Sequence, residues 1–492
     1  MEGQYMKQLL LQNFTRQFIN GQWKEGTSSA TIQNFNPYTG EELLTIQAAS
    51  NDDLDEAYTV AQQAQPIWED IPLGEKQQLF ERLVTVLEEK REDIIQWLVQ
   101  ESGSTLIKAT VEFEASVTMV KESASFLTRI TGQILPSYVP NKEHRVYRTA
   151  KGVIGVIGPW NFPFLLTMRS IAPAIATGNS VVIKPASDTP VTSGLLFGEI
   201  FEEAGFPAGL VNVVVGRGSE IGDAFVTHPI PCMISFTGST EVGRRIGEFA
   251  GKNLKEVALE LGGNNVMVVL KDANIERAAK AAAFGKFLHQ GQICMALNRI
   301  IVDQAIHDEF VEKFTEITKT LKTGDPADPT TFVGPLINKQ QVERIQQDIQ
   351  DSVAQGAAIH LEGTINNTLM QPVILTKVTN DMPIAKNEIF GPVAPIIKAK
   401  DEEEAIQIAN DSPYGLSGSL FTENLHHGVE VAKKIKTGMI HINDQSVNDE
   451  AHVPFGGEKD SGIGRFNGEW AIEKFTTVKW IGVQNGYRDY PI

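Results

Sequence analysis

The sequence is short of cysteine: its 492 residues hold only Cys232 and Cys294. That excludes a disulfide framework, and a cytoplasmic, reducing setting is expected. It also lacks a cationic excess, with 43 Lys and Arg against 61 Asp and Glu and a formal net charge of −18. Nucleic acid and anionic membrane surfaces attract basic patches, so neither is an expected partner. No run of about eighteen apolar residues occurs that could cross a bilayer. The opening stretch MEGQYMKQLLLQNFTRQF has no basic segment leading into an apolar core of the export type. The nine histidines show no ligand spacing, so no catalytic metal is expected. What is present is an ordinary globular composition, 42% hydrophobic and 21% charged, in a chain too long for one core.

Residues 51–130 carry helical apolar spacing, as in LGEKQQLFERLVTVLEEKREDIIQWLVQ. From 130 to 150 the stretch GQILPSYVPNKEHRVYRTAKG changes to short alternation with prolines near a turn. That predicts a projecting hairpin whose solvent-shy strands suit a subunit contact. The β-branched runs GVIGVIG, SVVIKP, VNVVVG, CMISFTG and EVALELG then alternate with helical stretches that begin near Phe164, Thr189, Glu220 and Ser239. The alternation predicts an α/β fold with a doubly wound parallel sheet, and ligands bind such sheets outside the carboxyl ends of the strands. Those ends carry Asn161, Lys184, Gly216, Gly218, Gly238 and Glu260. A second α/β unit starts after Gly263, with strand NNVMVVL, helix IERAAKAAAFGKFLHQG, Cys294 and strand RIIVD. The last stretch, TTVKWIGVQNGYRDY, predicts a strand able to pair with the hairpin.

Two glycine-bearing turns compete for a phosphate. VNVVVGRGSEIG runs a strand into Gly216, Gly218 and Gly222, but has one residue too many before the last glycine for a dinucleotide fingerprint. FTGSTEVGRR is the better anion site, because Ser239 opens a helix whose first N–H groups would face a pyrophosphate. The same residues also describe a plain N-capped helix. Cys294, in FLHQGQICMALN, is open in the same way, since free cysteine is among the most buried residue types. A reactive cysteine needs a base or a cation nearby. If Glu260 faces Cys294 across a cleft, a nucleophile and a general base are in place, and the Asn161 amide could serve an oxyanion. Otherwise Glu260 is an ion-paired edge residue and Asn161 a turn former.

Eight ordered motifs carry a resemblance across nearly the whole chain: PWNFP, IKPAS, FTGSTEVG, LELGG, GQIC, EIFGPV, NDSPYGLSG and PFGGEKDSGIGR. In this order they resemble the aldehyde dehydrogenase superfamily. The resemblance implies a Rossmann-like NAD(P)-binding domain (1–129 and 148–262), a second α/β catalytic domain (263–460) and a small β oligomerisation arm (130–147 and 476–492). It implies a homodimer or homotetramer acting on a small aldehyde. Cys294 would attack the aldehyde, and Asn161 with the Cys294 backbone N–H would stabilise the thiohemiacetal oxyanion. Hydride transfer to the nicotinamide would leave a thioester, which water activated by Glu260 would hydrolyse. Lys184 would reach the adenosine ribose, Gly238 and Ser239 the pyrophosphate and Glu388 the nicotinamide ribose, with Trp160 and Phe390 lining the cofactor site. Gly216 would form a turn near the adenine end.

Ser187 stands where many relatives have a glutamate that binds both adenosine ribose hydroxyls. An acid there repels a 2′-phosphate and serine does not, so NAD is expected with NADP tolerated; the neighbouring Asp188 could restore some discrimination. The segments MRSIAPAIATGN and IHINDQSVNDEAHVPFGG are similar to the benzaldehyde and vanillin dehydrogenase branch, which implies an aromatic aldehyde. Phe162, Phe455 and Leu288 would form an apolar slot for a flat ring, flanked by Ile293 and Met295. Arg169 would contact a substrate hydroxyl or pair with an acid such as Glu450. The alternatives are aliphatic or semialdehyde oxidation, a cofactor-free cysteine hydrolase, and a binding protein on a retired scaffold.

Overall fold

A computed structural model describes residues 14–492. The first 13 residues, which belong to the expected cofactor domain, lie outside the described residues. Strands Val153–Ile157, Ser180–Lys184, Val211–Val213, Met233–Thr237 and Glu256–Glu260 form the parallel centre of an eight-stranded sheet. In chain order they lie third, second, first, fourth, fifth. They are apolar on both faces because helices cover both. The strand order reverses between Val153–Ile157 and Met233–Thr237, which pair in parallel. A crevice opens at the carboxyl ends on either side of such a reversal. The doubly wound expectation is met.

Three elements of this sheet were not anticipated. Strands Gln17–Ile19 and Gln22–Lys24 add an antiparallel edge through Phe18 against Val213, and strand Gly462–Ile463 closes the far edge on Leu259 and Glu260. Each is two or three residues long, too short for its period to register in a sequence. Helices Asn51–Asp70, Leu73–Glu89, Arg91–Ser102 and Leu106–Phe126 fill the expected helical region. The first starts at a capping box between Ser50 and Asp53.

The second sheet has seven strands, of which Val373–Thr376, Val393–Ala399, Leu297–Asp303, Asn265–Val269, Gly418–Phe421 and His441–Ile442 are parallel neighbours in that order. The arm is a three-stranded sheet of Gln133–Pro136, Lys142–Ala150 and Thr476–Gln484. The last strand pairs with the second over its full length, Thr476 opposite Ala150 and Gln484 opposite Lys142. Backbone pairing in the second strand continues to Ala150.

Candidate active site

A cavity of about 1300 Å³ opens at the switch point, between the two sheets. Trp160 and Asn161 enter it from the turn after the first parallel strand, Gly238 and Ser239 from the turn after the fourth, and Glu260 from the end of the fifth. The second unit contributes Cys294, Glu388 and Phe390. Cys294, Glu260 and Asn161, the expected nucleophile, base and oxyanion donor, thus line one cavity.

The loop that carries Cys294 is built by left-handed backbone. The expected helix through Gly291 ends at Phe287, and His289, Gln290 and Gly291 take φ of 49°, 58° and 75°. Non-glycine residues rarely sit there, so tertiary bonds must hold the loop. Gln290 Nε2 donates to the Pro335 carbonyl at 2.8 Å and Gln292 Oε1 accepts from Ile337 N at 2.9 Å. Asn265 Nδ2 holds the Cys294 and Ala296 carbonyls at 2.6 and 2.9 Å. A side chain at Gly291 would strike the Gly391 carbonyl at 2.4 Å, so only glycine fits.

Burial governs the charge states. It pushes the Cys294 thiol up to about 12, Arg169 drawing it back and Glu260, Glu388 and Asp449 adding to the rise. Cys294 therefore rests as a thiol. Glu260 is 2% exposed, and neither carboxylate oxygen has a hydrogen-bond partner. Burial raises it to about 8, against the pull of Arg169 and Arg465. An unpaired buried carboxylate is costly as structure but suits a base that must take a proton. Asn161 Nδ2 donates to the Gln292 carbonyl at 3.0 Å, which aims the amide at the cysteine loop and leaves its second N–H uncommitted. Glu260 has no ion-pair partner at the sheet edge among the described residues, whereas Asn161 does lie in a turn and is buried there.

The opposite end of the cavity suits a dinucleotide. Ser239 caps helix Thr240–Lys252, accepting from Val242 N, and the start of this helix lines the cavity through Ser239, Glu241 and Val242. Lys184 lines the wall, its ammonium drawn down to about 8 by burial. Glu388 accepts from Gly263 N at 2.8 Å, and a Cβ on Gly262 would come within 2.6 Å of its other oxygen. Trp160 and Phe390 meet edge to face at 5.4 Å. Gly216 lies behind this wall, with the Ile221 side chain 2.5 Å from where a Cβ would be; Gly218, Ser219 and Gly222 line it instead. Ser187 is half-buried and follows Ala186 of the wall. No group of three or more metal-ligating side chains occurs among the described residues.

Phe162, Leu288, Ile293, Met295 and Phe455 are buried in the largest apolar cluster, against which Cys294 packs. Arg169 corrects an expectation. Its partner is Asp449, not Glu450: Nη1 donates to Asp449 Oδ2 at 3.0 Å, and Asn467 Nδ2 holds the other oxygen at 2.8 Å. The guanidinium stacks 3.9 Å from the Phe455 ring centre, and Nη2 is buried without a partner. Glu450 stays at the surface, 3.8 Å from His452, whose side chain is 65% exposed and so contributes nothing to a buried slot.

Cys294, the buried Glu260 and Asn161 line one cavity at the carboxyl ends of a doubly wound sheet, a placement shared by enzymes that bind dinucleotides. The aldehyde dehydrogenase family model matches residues 23–481, and the chain belongs to that family. It is similar to a vanillin dehydrogenase of Corynebacterium glutamicum, 53% identical over 96% of this chain and 98% of the relative. It is also similar to a benzaldehyde dehydrogenase of Bacillus subtilis, 49% identical over 98% and 99%. Among solved structures, an NAD-dependent benzaldehyde dehydrogenase from Corynebacterium glutamicum superposes with a TM-score of 0.89 at 50% identity, covering 96% of this chain and 97% of that one.

Proposed function

We propose that this protein oxidises an aromatic aldehyde of the benzaldehyde and vanillin type to its carboxylic acid, using NAD. The convergence of Cys294, Glu260 and Asn161 on one cavity carries the reading, and the named substrates of its relatives narrow it to aromatic aldehydes. Cys294 gives its proton to Glu260 as sulfur attacks the carbonyl carbon. The free N–H of Asn161 and the Cys294 N–H meet the oxyanion, a role worth about 10²–10³ in rate for one donor. Bound nicotinamide dinucleotide supplies the hydride acceptor when present. Lys184, Ser239 and Glu388 are the residues that would hold it, with Trp160 and Phe390 at the ring end. Glu260 releases the proton of Cys294 to solvent, then takes one from the water that attacks the thioester carbon and passes it to the departing sulfur, so the carboxylic acid leaves and Cys294 is restored as thiol. Phe162, Phe455, Ile293 and Met295 do not line the cavity; their support for an aromatic substrate is that they belong to the buried apolar cluster against which Cys294 packs.

Steady-state kinetics on benzaldehyde, vanillin, acetaldehyde and succinic semialdehyde with both cofactors test this. Both aromatic substrates should lead in kcat/KM, and NADP should support turnover because Ser187 presents no charge to a 2′-phosphate. A lead by acetaldehyde or the semialdehyde would reverse the substrate assignment. An NADP to NAD efficiency ratio below about 10⁻³ would refute the cofactor expectation.

The arm exposes Ile134, Val478, Trp480 and Ile481. Apolar side chains gathered on a projecting sheet call for a cover, and the proposed one is a second copy, giving a homodimer or homotetramer. Light scattering at micromolar concentration should find no monomer; a monomeric chain would refute the assignment.

A further inference from the structure

We infer that the buried pair Lys108 and Glu112 is the device that positions Asn161, gripping the turn that carries the oxyanion donor from both sides. The inference rests on the reading of Asn161 as that donor. Both side chains are fully buried on helix Leu106–Phe126 and joined as an i,i+4 ion pair. Taking two charges out of water costs more than a bare pair returns, so the other bonds these groups make decide what the pair does.

An ammonium has three N–H donors, and Lys108 uses all three. It donates to Glu112, to Ser104 Oγ at 2.9 Å and to the Asn161 backbone carbonyl at 2.7 Å. Its Nζ also sits 4.1 Å above the centre of the Phe162 ring. Glu112 works three residues further on: its Oε1 accepts from Phe164 N at 2.9 Å and Leu165 N at 3.2 Å. Those are free N–H groups in the first turn of helix Pro163–Ala176, whose N-cap Phe162 has no side-chain oxygen to offer them. The carboxylate supplies the missing cap from a neighbouring helix and places negative charge at the positive end of this one.

One ion pair therefore fixes the segment from Asn161 to Leu165 at two points. With its backbone pinned, Asn161 keeps Nδ2 at 3.0 Å from the Gln292 carbonyl, in the loop that carries Cys294, and lines the same cavity as Cys294. Lys108 and Glu112 do not line the cavity themselves and act through the segment from Asn161 to Leu165, whose one cavity-lining member is Asn161. They are positioning residues.

The test compares Lys108→Met/Glu112→Gln, which removes both charges together, with Asn161→Ala and the triple variant. Single-turnover NADH formation with limiting benzaldehyde reports the acylation half of the reaction, while NAD affinity and melting temperature report general integrity. The pair variant is expected to bind NAD within about twofold of the parent and to lose about a hundredfold in single-turnover rate, the scale of a displaced oxyanion donor. The triple variant should lose no more than Asn161→Ala does, because both changes act through one amide. Losses that multiply in the triple variant overturn the inference, as does a pair variant with unchanged rate beside an impaired Asn161→Ala. Should Asn161→Ala itself keep the parental rate, the oxyanion reading falls first and the inference with it. If the pair variant does not fold, Lys108→Gln replaces it in the same cycle with the same outcomes.

Discussion

Cys294→Ala is expected to lower kcat for aldehyde oxidation by about 10⁵ or more, in line with removal of an activated nucleophile, while NAD affinity stays unchanged. Sulfur attack produces the oxyanion that drives hydride out, and a free aldehyde has no such charge to push with. Desolvation pushes the Cys294 thiol up to about 12, away from the thiolate. The geometry of its loop is held by Gln290, Gln292 and Asn265, none of which bonds the sulfur. Steady-state turnover with benzaldehyde measures the outcome, and residual activity above about one per cent of the parent would remove the covalent mechanism.

Glu260→Gln is expected to cost about 10²–10⁴ in kcat, the range of a positioned general base, and to erase a pH dependence. Burial raises the Glu260 carboxyl to about 8. Only the carboxylate can accept a proton, and it is the minor form below that value. The parent's kcat/KM should therefore climb about tenfold per pH unit up to about 8 and level above it. The glutamine variant should lack this limb. A parental profile that is flat from pH 6 to about 9, or a rise that survives in the variant, would assign the base elsewhere.

Several features were legible in the residues because their signals are local. The five β-branched runs became the five parallel strands, since a strand covered on both faces needs continuous apolar side chains. Their carboxyl ends placed Asn161, Lys184, Gly238 and Glu260 near one crevice by the geometry of doubly wound sheets. Lys108 and Glu112 escaped notice because an i,i+4 Lys–Glu pair usually marks a solvated helix face. The only hint was their apolar company in IKATVEFEASVTMV. For Arg169 the residues left a substrate hydroxyl or an acid such as Glu450 open; the acid that holds it is the neighbouring Asp449, since a one-residue step in an irregular loop reverses which side chain points inward.

The sequence by itself determined the order of chemical parts: a cysteine after a glycine turn, an acid and an amide at strand ends, a capped helix beside a glycine, and an α/β chain to carry them. Only the tertiary structure decided their charge states and aim. Glu260 without a partner, Cys294 as a resting thiol, and Asn161 pinned from a distant helix all follow from burial and from bonds between residues far apart in the chain. Desolvation and hydrogen-bond geometry depend on what surrounds a group in space, and no spacing along a chain encodes that.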